Sequence, residues 1–143
     1  MKESLRAIAC AAVLSAPLAG SLARPVLADA PVCSILTQAQ VSSIVGGPVD
    51  SGVSITRTNP SAPGAVGHAC AYVGQTHSAV LGIYKGSGSQ LHQIQTINER
   101  SGSVTAMHGG LLVSAFVSSG AKGSATPDKT AAKALLNAAL AKM

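Results

Sequence analysis

Once the first 28 residues are set aside, two cysteines remain in the chain, Cys33 and Cys70. Those 28 residues read as a leader. Lys2 and Arg6 give a positive start, and Ala7 to Ala23 is an uncharged run of 17 residues, mostly Ala, Leu and Val, broken by Pro17 and Gly20. This is the three-part pattern of a secretory signal. Cleavage after Val26-Leu27-Ala28 would leave Asp29 as the new N-terminus. An uncleaved anchor is the competing reading, but a short Ala-rich run sits at the lower edge of what spans a bilayer. Cys10 has almost no apolar stretch before it and does not read as a lipid-attachment site.

An exported chain meets an oxidising compartment, where disulfides form and persist. With two thiols only one pairing is open, Cys33 with Cys70. Such a bond closes a loop of about 38 residues, which the chain-entropy model values at about 3.5–4 kcal/mol. A redox pair would call for C-x-x-C spacing. A thiolate metal site would call for further ligands at fixed spacing. Neither pattern is present. The expectation is a structural disulfide in a domain over residues 29–143.

The composition says what the core must be made of. Aromatic residues are Tyr72, Tyr84 and Phe116, with no Trp. The core therefore falls to Ala, Val, Leu and Ile, which bury little area each, and small domains are marginal to begin with. Few aromatic rings also means few stacking platforms for bases. After the leader, seven basic and four acidic side chains remain, and Arg57, Lys85, Arg100, Lys122, Lys129, Lys133 and Lys142 are scattered. A nucleic-acid footprint needs its cations clustered on one face. The expectation is no nucleic-acid partner.

Local signals divide the domain. Thr37 and Gln40 make a capping box, flanked by Leu36 and Val41 as a hydrophobic staple, and Gly46-Gly47 ends a helix over 38–45. Residues 48–57 alternate imperfectly and read as a strand. Asn59-Pro60 and Pro63-Gly64 are turn chemistry. Strands follow at 68–73 and 77–85. Ser89 reads as the cap of a helix over 90–99 with Leu91, Ile94 and Ile97 inward. A hairpin covers 104–107 and 111–118. Thr126-Pro127-Asp128 reads as cap, first position and first turn of a last helix, with Ala131, Ala134, Leu135 and Ala138 on its packing side. The order α-β-β-β-α-β-β-α predicts an α+β fold: an antiparallel sheet of about five strands with helices packed on one side.

Cys33-Ser34-Ile35-Leu36-Thr37, Val41, the stretch Val45-Gly46-Gly47-Pro48-Val49 and Cys70-Ala71-Tyr72 resemble a loose group of small exported bacterial proteins of unknown function, of the DUF3558 kind. The resemblance implies a staple tying the first helix to a sheet strand, and it implies no agreed activity. The chain lacks the lipid-attachment cysteine many members carry.

Enzymes need positioned acids, bases or nucleophiles. The carboxylates after the leader are Asp29, Asp50, Glu99 and Asp128. Their dispersal argues against paired-carboxylate hydrolysis. No G-x-S-x-G elbow or Walker loop occurs, and Gly86-Ser87-Gly88-Ser89 reads as a turn. His68, His77, His92 and His108 are the one set with metal-ligand chemistry, but none has i,i+4 or H-x-H spacing. The expectation is a non-catalytic, cofactor-free binding or accessory protein, periplasmic or secreted, whose partner is another envelope or secreted protein, with no stable membrane insertion after cleavage. Two alternatives stand beside it. One is an inhibitor or immunity-type protein that blocks a hydrolase with loop 58–67 or 119–126. The other is a metal carrier built on His68, His77 or His92.

Overall fold

The computed structural model describes residues 32–58, 62–120 and 124–143. The leader at 1–28 and its cleavage site lie outside the described residues, as do 59–61 and 121–123 of the two loops. A 3-10 turn (Val32–Ser34) precedes α1 (Gln38–Val45), β1 (Val53–Thr58), β2 (Val66–Val73), β3 (His77–Lys85), α2 (Gly88–Arg100), β4 (Val104–His108), β5 (Leu111–Ser119), β6 (Thr126–Pro127) and α3 (Lys129–Leu140). The fold is α+β. Its sheet runs β1-β2-β3-β5-β4, with β6 also on β5, and every pairing is antiparallel.

The start of α1 forms as its sequence implies. The Gln40 amide donates to Thr37 Oγ1 at 3.2 Å, and the Thr37 amide donates to Gln40 Oε1 at 2.9 Å. The helix stops at Gly46, whose φ of 81° places it in the left-handed region that glycine tolerates. Residues 48–52, expected to be strand, are not. Their backbone is claimed elsewhere: the Val49 amide donates to Ser42 Oγ, Gln38 Nε2 donates to the Val49 carbonyl, and the Asp50 amide donates to the Val73 carbonyl. Strand pairing begins only at Val53.

Two helix starts also differ from expectation. Ser87, not Ser89, caps α2, because Ser87 has the Gln three residues on that completes a capping box. Asp128 caps α3, its carboxylate accepting from the Ala131 amide at 3.0 Å. Thr126-Pro127 therefore stays extended as β6 and pairs with Ser118 and Ser119. The buried stripe of α3 is Ala131, Ala132, Leu135, Leu136 and Ala139, while Ala134 is exposed.

The helices do not all lie on one side. The larger core sets α1, α3 and the 3-10 turn against Cys70, Tyr72, Ala79, Leu81, Ile83, Val113, Ala115 and Val117. A second cluster sets Leu91 and Ile94 of α2 against Tyr84 and Leu112. Tyr84 and Leu112 are one step along from Ile83 and Val113, so they point to the opposite face. Leucine and isoleucine on α2 had a buried face to find, and the strand alternation offered a second one.

Tyr72 is buried in the larger core and donates its hydroxyl to the Leu36 carbonyl at 3.0 Å. Burial pushes its phenol above the usual range. The folded state then holds this proton more tightly than the unfolded chain does. The associated stability is complete below the ordinary phenol value, about 10. It is lost as pH rises from there through the raised folded value. Tyr72→Phe leaves the Leu36 carbonyl unpaired and is expected to cost about 1–3 kcal/mol at neutral pH. The variant should also lose stability less steeply on the alkaline side. Thermal unfolding of both proteins from neutral pH to above the phenol value would check both effects.

Candidate functional site

The face that α2 covers only in part is ordered by strand register. Three rows of side chains cross it. Val53, Ala71, Val80 and Phe116 form the first; Ile55, Ala69, Gly82, Ser114 and Thr105 the second; Arg57, Gly67, Tyr84, Leu112 and Met107 the third. The middle row is small across β2, β3 and β5. On β3 and β5 larger side chains flank it on both sides, Val80 and Tyr84 about Gly82 and Phe116 and Leu112 about Ser114, so the face carries a trough there.

The C-terminal end of α2 roofs part of this trough. Thr105 Oγ1 donates to Glu99 Oε1 at 2.7 Å, and Gln95 Nε2 donates to the same oxygen at 3.0 Å. These two bonds, first the Thr105 one, hold the Glu99 carboxyl below its usual range. They also pin the last turn of α2 over β4. The Asn98 carbonyl accepts from the Ser101 amide, the Ser101 hydroxyl and the Ser103 amide, which fixes the backbone there. The half-open space beneath it is a cavity of about 240 Å³ lined by Arg57, Val80, Gly82, Tyr84, Asn98, Ser101, Ser103, Ser114 and Phe116.

Its walls are chemically mixed. Tyr84 and Phe116 are two of the three aromatic residues of the chain. The Tyr84 ring lies across strand glycines: a Cβ on Gly82 would sit 3.0 Å from its Cε2 and 3.3 Å from its hydroxyl. Ser103 and Ser114 are the buried polar residues of the described chain, and both line the cavity. Asn98 Nδ2 is buried and has no hydrogen-bond partner among the described residues. Arg57 has no carboxylate partner among them. An unsatisfied buried donor is costly and calls for an explanation.

A second, larger hollow of about 840 Å³ lies at the sheet end beside Pro48–Asp50 and Gly74–His77. No buried side-chain donor is left unpartnered there among the described residues. His77 Nδ1 is bonded to Thr76 Oγ1 at 2.9 Å.

Cys33 and Cys70 are joined, with Cα atoms 5.0 Å apart. The bond ties the turn before α1 to the middle of β2. The four histidines are dispersed. His68 sits opposite Thr56 and Ile83, His77 opposite Ser119, His108 opposite Leu111, and His92 is exposed on α2. No group of three His, Cys, Asp or Glu comes together among the described residues. No helix among them is long and apolar enough to cross a membrane.

The sequence reading missed the cavity. Leu91, Ile94 and Asn98 follow helical spacing, so a polar residue at an inward position was the available signal. Inward Ser114 within Leu111–Val117 and Gly82 inside a strand were two more. Asn98→Leu should raise stability by about 1–2 kcal/mol, since it removes an orphaned donor and adds apolar contact. An increased urea midpoint at unchanged slope would show it.

Fold and site together define a small α+β domain, disulfide-tied at its N-terminal end, with an uncovered sheet face that deepens into a ligand-sized cavity. Comparison with known proteins returned no matching family model, no matching curated protein and no matching solved structure.

Proposed function

We propose that this chain is an exported, non-catalytic binding or accessory domain of the bacterial cell envelope, and that it meets another envelope or secreted protein through the open part of the α2 face. The observation that carries the reading is that face. Val53, Ile55 and Val73 are 60%, 36% and 57% exposed, and all three lie on the side of the sheet that continues into the cavity. Exposed apolar side chains in one contiguous patch mark interaction sites. The Cys33–Cys70 link supports export, because such bonds persist in oxidising compartments. The leader pattern at 1–28 and the resemblance to exported bacterial proteins support the same address.

The test uses the chain from Asp29 onward, carrying a photo-crosslinker near β1, in envelope extracts of its own source. The unaltered protein should trap one discrete partner. Ile55→Asp and Val73→Asp should each lose it while circular dichroism and Tm stay close to the parent. An identical crosslinked set for all three proteins would overturn the reading. So would free thiols at both cysteines in protein recovered from the cell.

A further inference from the structure

The donors around the cavity beneath α2 outnumber what the protein uses. Asn98 Nδ2 is buried without an acceptor. Arg57 reaches the same space from β1 and carries no counter-charge among the described residues. No carboxylate among the described residues forms an ion pair with it, and Asp50 lies at the other hollow. Tyr84, Phe116 and Val80 line the same space and supply its apolar surface. The space therefore offers donors for an anionic acceptor together with apolar surface for a flat or branched hydrocarbon.

We infer that this cavity is a subsite for a carboxylate carried on a small apolar group, with Arg57 and the Asn98 amide on the carboxylate and Tyr84 and Phe116 against the hydrocarbon. The inference deepens the reading of this face as a binding surface by naming the chemistry it takes. Size agrees with it. A cavity of about 240 Å³ equals about eight water volumes at about 30 Å³ each, room for one ring and a carboxylate. Guanidinium and carboxylate form paired, charge-assisted hydrogen bonds. A water could satisfy Nδ2 alone; the positive charge of Arg57 on the same lining is what favours an anionic acceptor there. The same chemistry could come from a free small acid or from the terminal residue of a partner chain.

The side-chain amide of Asn98 is its own reporter in nitrogen–proton NMR spectra. Phenylacetate titrated into the labelled chain from Asp29 onward should shift that pair of resonances, with a dissociation constant on the order of 1 mM for so small a ligand. Phenylacetamide, which lacks the charge, should bind about tenfold more weakly. Arg57→Gln should weaken phenylacetate by a similar factor, and since Arg57 is on an exposed edge strand the fold will tolerate the change. A short peptide ending in phenylalanine with a free carboxylate, set against its amidated form, separates the two sources. Binding of the free-ended peptide well beyond phenylacetate indicates a partner's C-terminus, and equal or weaker binding indicates a free acid. No shift at Asn98 with millimolar phenylacetate, or equal affinity for acid and amide, would overturn the inference. If that happens while Ile55→Asp still abolishes partner capture, the ligand chemistry alone is wrong. If both fail, the face is not a binding surface.

Discussion

Replacing both Cys33 and Cys70 by alanine is expected to lower stability by about 3.5–4 kcal/mol and Tm by roughly 10–20 °C. The two residues are 37 apart in sequence, and the segment they close contains α1, β1 and the first half of β2. Without the bond, the unfolded chain regains the freedom of that loop. The folded chain regains no such freedom, because the segment around Val32–Ser34 stays anchored by burial. Val32 and Leu36 are its buried anchors, along with the Tyr72 hydroxyl on the Leu36 carbonyl. Cys70 is fully buried, while Cys33 is only half-buried. Calorimetry of the double variant, and of the parent before and after reduction under denaturing conditions, should give matching losses. A Tm within a few degrees of the parent would mean that burial alone holds the N-terminal segment in place.

Leu81→Ala is expected to cost about 2–5 kcal/mol, towards the upper end of that range. Leu81 is fully buried on β3, the strand in the middle of the sheet. Its neighbours across the ladder are Cys70 and Ala115. Cys70 is tethered by its disulfide, and Ala115 is too short to fill space, so the hole cannot close by relaxation. A core of small residues makes the loss worse, since each large aliphatic carries more of the total burial. Urea unfolding should show a lower midpoint at unchanged slope. Val53→Ala on the exposed edge strand is the control and should change stability by no more than about 0.5 kcal/mol.

These expectations separate what was written in local sequence from what was assembled. The cap of α1, the bounds of β3 at His77–Lys85 and the hairpin of β4 and β5 were legible because each rests on contacts within a few residues. The disulfide was legible too, since setting Cys10 aside with the leader leaves two cysteines and a single pairing. Residues 48–52 were misread because their backbone partners, Ser42 and Val73, are set by packing and not by alternation. Ser89 and Thr126 were plausible caps that lost to neighbours. Ser87 had the reciprocal glutamine, and Asp128 was preceded by a segment that still had a strand to pair with.

The sequence by itself determined an α+β chain, its antiparallel ladder, and the pairing of Cys33 with Cys70. Only the tertiary structure decided that α2 crosses to the other face, because helical periodicity marks which side of a helix is apolar and says nothing about which side of a sheet receives it. The cavity is a consequence of that choice. Gly82, Ser114, Tyr84, Asn98 and Arg57 come from four different elements, and their proximity is a product of register and of where one helix ends.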